Sequence, residues 1–239
     1  MPQISPPTPR PDRAPARTAD PRPVDDLSLA ERAYRAILQG LFDRTIAAGA
    51  EWSQSELIGK LGLTAQPVRD ALLRLESEGL VTIHARSCIR FVKADLELSR
   101  ATYQFRSLIE RAGARSYAET GDAAEITALI AAHGALIAQI TADGLDADAN
   151  RVLGDLENSF HGALLSSLRN PLIETTARRL KNYVTLVRLD RLVTAPLALR
   201  TLREHLDVLN ACAKRDADAA EAALIAHFQQ ALQRLLGMA

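Results

Sequence analysis

Residues 53–92 read SQSELIGKLGLTAQPVRDALLRLESEGLVTIHARSCIRFV. Ser53 and Glu56 form an S-x-x-E pattern, in which each side chain can cap the other's free backbone N–H and so open a helix. The segment Lys60-Leu61-Gly62-Leu63 is a tight turn. Thr64 stands where a second helix needs an N-cap, and Pro67 falls in the first turn of that helix, where its missing N–H leaves no bond unmade. Val68, Ala71, Leu72 and Leu75 recur at the spacing of one buried helical face, which turns Gln66, Arg69 and Arg74 outward. Gly79 ends the helix. Val81 and Ile83, then Ile89 and Phe91, alternate with polar or small residues as the two strands of a half-buried hairpin, with Arg86 at its tip and Arg90 on the second strand. This order predicts a winged helix-turn-helix.

The run LIGKLGLTAQPVRDALLRLESEGLV resembles the DNA-binding domain of the GntR family of bacterial transcription regulators. The matching positions include Leu61, Gly62, Pro67, Val68, Arg69, Ala71, Leu72, Leu75, Glu78, Gly79 and Leu80. Where the family has S-R-T, this chain has Thr64-Ala65-Gln66. An arginine that often touches DNA in relatives is therefore missing, and the resemblance carries over the fold more fully than the operator. It implies that Thr64, Gln66 and Arg69 face the DNA major groove and that Arg86 on the wing meets the backbone or minor groove. Gln66 suits an adenine edge, and Arg69 a guanine edge or a phosphate.

Working outward, residues 1–26 are rich in Pro, Arg, Ala and Asp and lack apolar periodicity, which is expected of a disordered tail. Ser28 to Glu31 repeats the capping pattern and opens a helix with Tyr34, Ile37, Leu38 and Leu41 on one face. These elements set the winged domain at residues 27–93.

The chain has 239 residues, 47% of them apolar, with 29 basic against 29 acidic side chains. Zero net charge argues against a broad nonspecific basic surface, so DNA affinity has to come from a few placed arginines. The two cysteines, Cys88 and Cys212, are far apart and suggest neither a disulfide framework nor a zinc knuckle, as expected for a reducing cytoplasm. No hydrophobic run reaches the length of a membrane span, and the N-terminus lacks an apolar signal core.

From residue 94 to 239 the pattern is almost wholly helical. Six helices are expected, at about 95–119, 122–141, 147–168, 170–192, 195–214 and 216–236, packed as an antiparallel bundle. The fold class is therefore mostly α, a winged head followed by an all-α bundle. On the first bundle helix the stripe Leu98, Ala101, Phe105, Leu108 and Ala112 is expected to face inward.

Glu157 and His161 sit one turn apart on the core side of the third bundle helix. His205 sits among Leu202, Leu206 and Leu209, and His227 beside Leu224, Phe228 and Ala231. Leaving such groups buried and unpaired costs several kcal/mol. One divalent metal would satisfy all four: zinc is the first choice, with Ni, Mn and Fe also suited to imidazole and carboxylate donors. Separate hydrogen bonds to each histidine are the plainer alternative. His133 has no acidic or histidine neighbour one turn away and is assigned a structural role.

The segment Leu156-Glu157-Asn158-Ser159-Phe160-His161 resembles the D-x-x-F-H stretch of the FCD domain, the helical effector domain of the FadR subfamily of GntR regulators. His205 and His227 match its two later histidines. The resemblance implies a divalent ion held by one carboxylate and three histidines, with Glu157 in the Asp position. It also places Tyr103 and Arg106 on an effector-binding face, where a guanidinium can grip a carboxylate. An Arg106–Glu110 surface pair is the equal alternative for that arginine.

These readings converge on a cytoplasmic, metabolite-responsive DNA-binding regulator. It would be a homodimeric repressor that binds operator DNA, a divalent metal and a small organic acid, with no membrane partner. A metal-dependent enzyme using the same four residues is the rival, and a regulator without metal the second. Against an enzyme stand the attached winged helix and the lack of an evident further acid or base near the site.

Overall fold

A computed structural model describes residues 27–84, 88–189 and 193–235 of the chain. The head opens with α1 (Leu29–Phe42), capped by Ser28, whose side chain accepts from the Glu31 N–H at 3.1 Å. The reciprocal half of that expected cap is absent because the Glu31 carboxylate is taken by Arg35 and Arg74, at 2.8 and 2.7 Å. The second capping box forms in full, with Ser53 and Glu56 bonded both ways at the start of α2 (Gln54–Leu61). Gly62, at φ 63°, closes that helix in the left-handed region that glycine adopts without penalty.

Next comes α3 (Ala65–Ser77), which buries Val68, Ala71, Leu72 and Leu75 as the periodicity requires. The wing consists of β2 (Val81–His84) and β3 (Cys88–Phe91), antiparallel with Ile83 opposite Ile89. A short strand, β1 (Glu51–Ser53), pairs with β3 and makes the sheet order β1-β3-β2. Three residues carry too little periodicity for β1 to be read from sequence. Arg86, expected at the wing tip, lies outside the described residues.

The bundle comprises α4 (Leu96–Thr120), α5 (Ala123–Asp143), α6 (Ala147–Ser167), α7 (Pro171–Arg188), α8 (Ala195–Ala213) and α9 (Ala217–Leu235). Its cores join α4, α6, α8 and α9 around Phe160, Leu164, Leu209 and Phe228, and α5, α6 and α8 around Leu136, Leu153 and Leu202. Asp95, Asp122, Asp146 and Asn170 each cap the helix that follows with a side-chain oxygen.

Two expectations are corrected here. α4 faces the core with Thr102, Tyr103, Arg106, Glu110, Gly113, Ala114 and Tyr117; of the stripe read from its sequence, Leu98 packs against the core in part, and Ala101, Phe105, Leu108 and Ala112 are exposed. Leu108 is 70% exposed and Phe105 39%. The side bearing Arg106 and Glu110 goes inside because these charges find partners there, whereas periodicity alone ranks leucine above arginine. The second correction concerns α5. One 18-residue window in it has mean hydropathy 1.5, so by length and composition it is apolar enough to cross a membrane. Its alanines make it so, and Ile126, His133, Leu136 and Ile140 are buried where it lies beside α6 and α8.

α7 bridges the two halves. Its Leu186 belongs to the core of the head, with Tyr183 and Leu189 packed against the same cluster.

Candidate DNA-reading head and metal centre

Thr64, Gln66 and Arg69 lie exposed at the N-terminal end of α3, as the sequence placed them. The Thr64 hydroxyl makes no cap bond to α3. Gln66 donates to the Asp70 carboxylate at 2.8 Å, a bond that a base edge would replace. The free backbone N–H groups at this helix end suit a phosphate. On the wing, Arg90 is paired with Glu51 at 2.5 Å across the β1–β3 ladder.

In the bundle, α6, α8 and α9 bring His161, His205 and His227 together, with one ligand nitrogen from each within 4.8 Å of the others. All three are buried, at 7%, 0% and 2% exposure. Each ring is held from behind through Nδ1. His161 Nδ1 donates to Glu110 Oε2 at 2.5 Å, and Arg106 grips the other oxygen of that carboxylate at 2.7 Å. His227 Nδ1 donates to Glu204 Oε2 at 2.8 Å, and Arg234 forks onto Glu204 at 2.6 and 2.8 Å. His205 Nδ1 lies 3.2 Å from His133 Nε2.

Burial depresses the protonation of all three histidines, with His161 held to about 4 and His205 well below its ordinary value. Burial pushes the Glu110 carboxyl up, but Arg106 and His161 outweigh it and hold it at about 2. The rings are thus neutral, with a lone pair on Nε2 and the Nδ1 proton facing a carboxylate at His161 and His227 and the His133 ring at His205. The Nε2 atoms of His161 and His205 are buried without a hydrogen-bond partner. Buried, unprotonated imidazole nitrogens close to one another, two of them on rings backed by carboxylates, are a donor set that a divalent metal takes. Closing from 4.8 Å to tetrahedral spacing with Zn–N bonds of roughly 2.0–2.1 Å asks each ring to move by less than about 1 Å.

Glu157 stands outside this group. Its carboxylate is ion-paired with Arg188 from α7. Arg106 and Glu110 are a buried pair, not a surface one, at 4% and 1% side-chain exposure. A cavity of about 690 Å³ opens beside His161, the one histidine of the three on its wall, with Arg106, Glu110, Glu157, Arg178 and Arg188. Tyr103 is not on that wall and packs edge-on to Phe228 at 6.4 Å. Sequence reasoning missed Glu204, Arg234, Arg188 and the link between Glu110 and His161. Each of these pairs joins different helices, or positions that helical spacing does not align.

The far side of α7 touches the head. Tyr183 donates to the Glu78 carbonyl at 2.7 Å, and Asn182 donates to the Tyr34 hydroxyl at 3.3 Å. Tyr34 in turn donates to the Glu78 carboxylate at 2.7 Å. Gly79, at φ 76°, must remain glycine, since a Cβ there would sit 2.3 Å from the Tyr183 hydroxyl.

A winged helix-turn-helix joined to a helical bundle with an internal cavity is the build of a DNA-binding regulator with a sensory domain. Residues 29–91 match the family described as "Bacterial regulatory proteins, gntR family", and residues 101–230 match the FCD domain. The chain belongs to the GntR family and carries an FCD domain. It is 30% identical over 203 residues to the HTH-type transcriptional repressor RspR of Escherichia coli K12, covering 84% of this chain and 86% of that one. It is 21% identical over 202 residues to the HTH-type transcriptional regulator YdhC of Bacillus subtilis, covering 84% and 88%. Among solved structures, a putative GntR regulator from Rhodococcus sp. RHA1 superposes with TM-score 0.67 at 21% identity, covering 88% of this chain and 98% of that one. E. coli McbR/YncC superposes with TM-score 0.65 at 18% identity over the same shares. The protein is thus a DNA-binding transcriptional regulator, and its family and relatives are regulators, not enzymes.

Proposed function

We propose that this regulator is a cytoplasmic homodimeric repressor whose bundle binds a divalent metal and a small carboxylate, and that the carboxylate releases it from operator DNA. The observation that carries the reading is the buried trio His161, His205 and His227, with the Nε2 atoms of His161 and His205 left without a partner and Arg106 buried nearby. The metal, zinc in the first instance, is held by the three imidazoles, leaving a position open toward the cavity. When bound, it supplies a cationic site for one carboxylate oxygen, while the Arg106 guanidinium takes the other. Glu157 joins the ligand set only on leaving Arg188.

Residues 27–93 then act as the reading unit and 94–239 as the sensor. Thr64, Gln66 and Arg69 enter the major groove, and Arg86 of the wing meets the backbone or minor groove. The repressor polarity is supported by the similarity to RspR of E. coli, a transcriptional repressor. Dimerisation is supported by the outward stripe of α4, where exposed Phe105 and Leu108 would be covered by the same helix of a second copy. α7 supports coupling. It lends Arg178 and Arg188 to the cavity wall and Tyr183 and Leu186 to the head, so a ligand that moves it shifts the head between two populations.

Metal analysis of protein purified without a metal-affinity tag tests the reading, together with a thermal-shift screen of organic acids in metal-loaded and chelated samples. About one equivalent per chain is expected, with acid-dependent stabilisation that chelation removes. Less than roughly half an equivalent, with melting unchanged by chelation, would remove the metal from the proposal.

A further inference from the structure

We propose that His133 is a positioning residue that sets which nitrogen of His205 is offered to the metal. The inference rests on the metal reading above and adds to it the residue for which neither spacing nor family pattern suggests a role. His133 lies on α5, is fully buried at 0% exposure, and touches the site only through His205.

The chain of hydrogen bonds has one consistent direction. His133 Nδ1 is 2.8 Å from the Leu129 carbonyl oxygen, which can only accept, so the proton of His133 is on Nδ1. The buried ring is neutral, so His133 Nε2 carries a lone pair. His205 Nδ1, at 3.2 Å, must then be the donor, and His205 Nε2 is left as a bare lone pair. That Nε2 is one of the buried atoms with no partner. A backbone carbonyl thus dictates the tautomer of a metal ligand two residues away along the hydrogen-bond chain.

Stacking cannot do this work. Phe160 lies against His205 at 4.1 Å between centroids and 19° between planes. That contact fixes the plane of the imidazole and is indifferent to which nitrogen bears the proton. His133 supplies the missing distinction.

His161 and His227 are each backed by a carboxylate that an arginine neutralises, Arg106 and Arg234 respectively. His205 differs in being backed by a second imidazole.

The test compares wild type with His133→Leu and His133→Gln, in the full chain. Glutamine places an amide oxygen near the position of Nε2 and retains the acceptor; leucine fills space without one. Zinc affinity is read by competition with a chromophoric chelator. The His205 tautomer is read on the metal-free protein from two-bond proton–nitrogen-15 correlations. We expect His133→Leu to weaken zinc by about 10–100-fold, the usual effect of losing a partner behind a metal-binding histidine. We expect His133→Gln to stay within about 3-fold of wild type, on the same principle. In the metal-free spectra, His205 should be the Nδ1–H form in wild type and His133→Gln and lose that uniformity in His133→Leu. Equal losses in both variants would show a packing role and overturn the inference, as would a wild-type His205 protonated on Nε2. If wild type bound no zinc yet His133→Leu still changed the tautomer, the metal reading would fall and the positioning role would stand.

Discussion

In the winged head, the groups aimed at a partner are on the surface, and the layer beneath them is apolar. Thr64, Gln66 and Arg69 are exposed, while Val68, Ala71, Leu72 and Leu75 fill the core. The bundle inverts this order. Its binding groups are buried within it: His133, His161, His205, His227, Arg106, Glu110 and Glu204 are all at 7% exposure or less. A surface reader can depend on local sequence, because each side chain needs only solvent until the DNA arrives. A buried polar centre must satisfy every member internally, since an unpaired polar group in the interior costs several kcal/mol. The head is therefore stabilised by apolar burial and capping, and the sensor by a polar network spread over five helices.

The largest test of this contrast is His205→Ala. It should cut zinc affinity by more than the roughly 10–100-fold seen when only a supporting partner is lost. Gel-shift affinity of the metal-free protein for its operator should hold. A loss of operator binding in the metal-free state would show that the two halves are not separable in this way.

Arg69→Ala is the reciprocal change. Losing a base or phosphate contact should weaken operator binding by about 1–3 kcal/mol, with zinc stoichiometry and organic-acid affinity unchanged. Fluorescence anisotropy on labelled operator, beside calorimetry with zinc, checks both halves. Unaltered operator binding would move the reading surface off α3.

Acid should separate the halves next. His161 is held near 4, below the ordinary histidine value of 6.5. A depressed histidine takes up fewer protons folded than unfolded, so its full contribution to stability is present above about pH 6.5 and is lost as the pH falls toward 4. Glu110, held near 2 against an ordinary 4.5, acts in the same direction, with its share lost as the pH falls from 4.5 toward 2. Among the described residues, the buried histidines all lie in the bundle. Trp52, the single tryptophan, packs against the core of the head and reports on it alone. Acidification should lower the helical circular-dichroism signal before the Trp52 fluorescence changes. Coincident transitions would mean that the halves unfold as one unit.

The smallest expected effect falls on the link itself. Tyr183→Phe removes one hydrogen bond to the Glu78 carbonyl, worth about 0.5–1.5 kcal/mol. Operator affinity without effector, and effector affinity without operator, should change little. The factor by which effector weakens operator binding should shrink severalfold. An unchanged factor would take α7 out of the coupling route.

How far each region could be read from sequence follows the same divide. In the head, the Ser53–Glu56 box, the stripe Val68 to Leu75, Gly79 and the hairpin all form where their local chemistry places them. β1 escapes because its partner is β3, far along the chain. In the bundle, the helices themselves are legible and their orientation is less so. Periodicity turns Phe105 and Leu108 of α4 inward, yet they are exposed and Arg106 and Glu110 are inside. Periodicity registers hydrophobicity, and a charge becomes a core residue only when a partner from another helix, here His161, is in place.

By itself, the amino-acid sequence determined the winged head, the number and approximate ends of the bundle helices, and the three histidines that converge. All of these rest on interactions within a few residues or on a short family pattern. Only the tertiary structure decided that Glu157 is turned to Arg188, that Glu110, Glu204 and His133 stand behind the histidines, and that α7 joins cavity to head. Those outcomes depend on which side chain from a distant helix reaches a buried group first. That is a matter of packing geometry, and no local spacing encodes it.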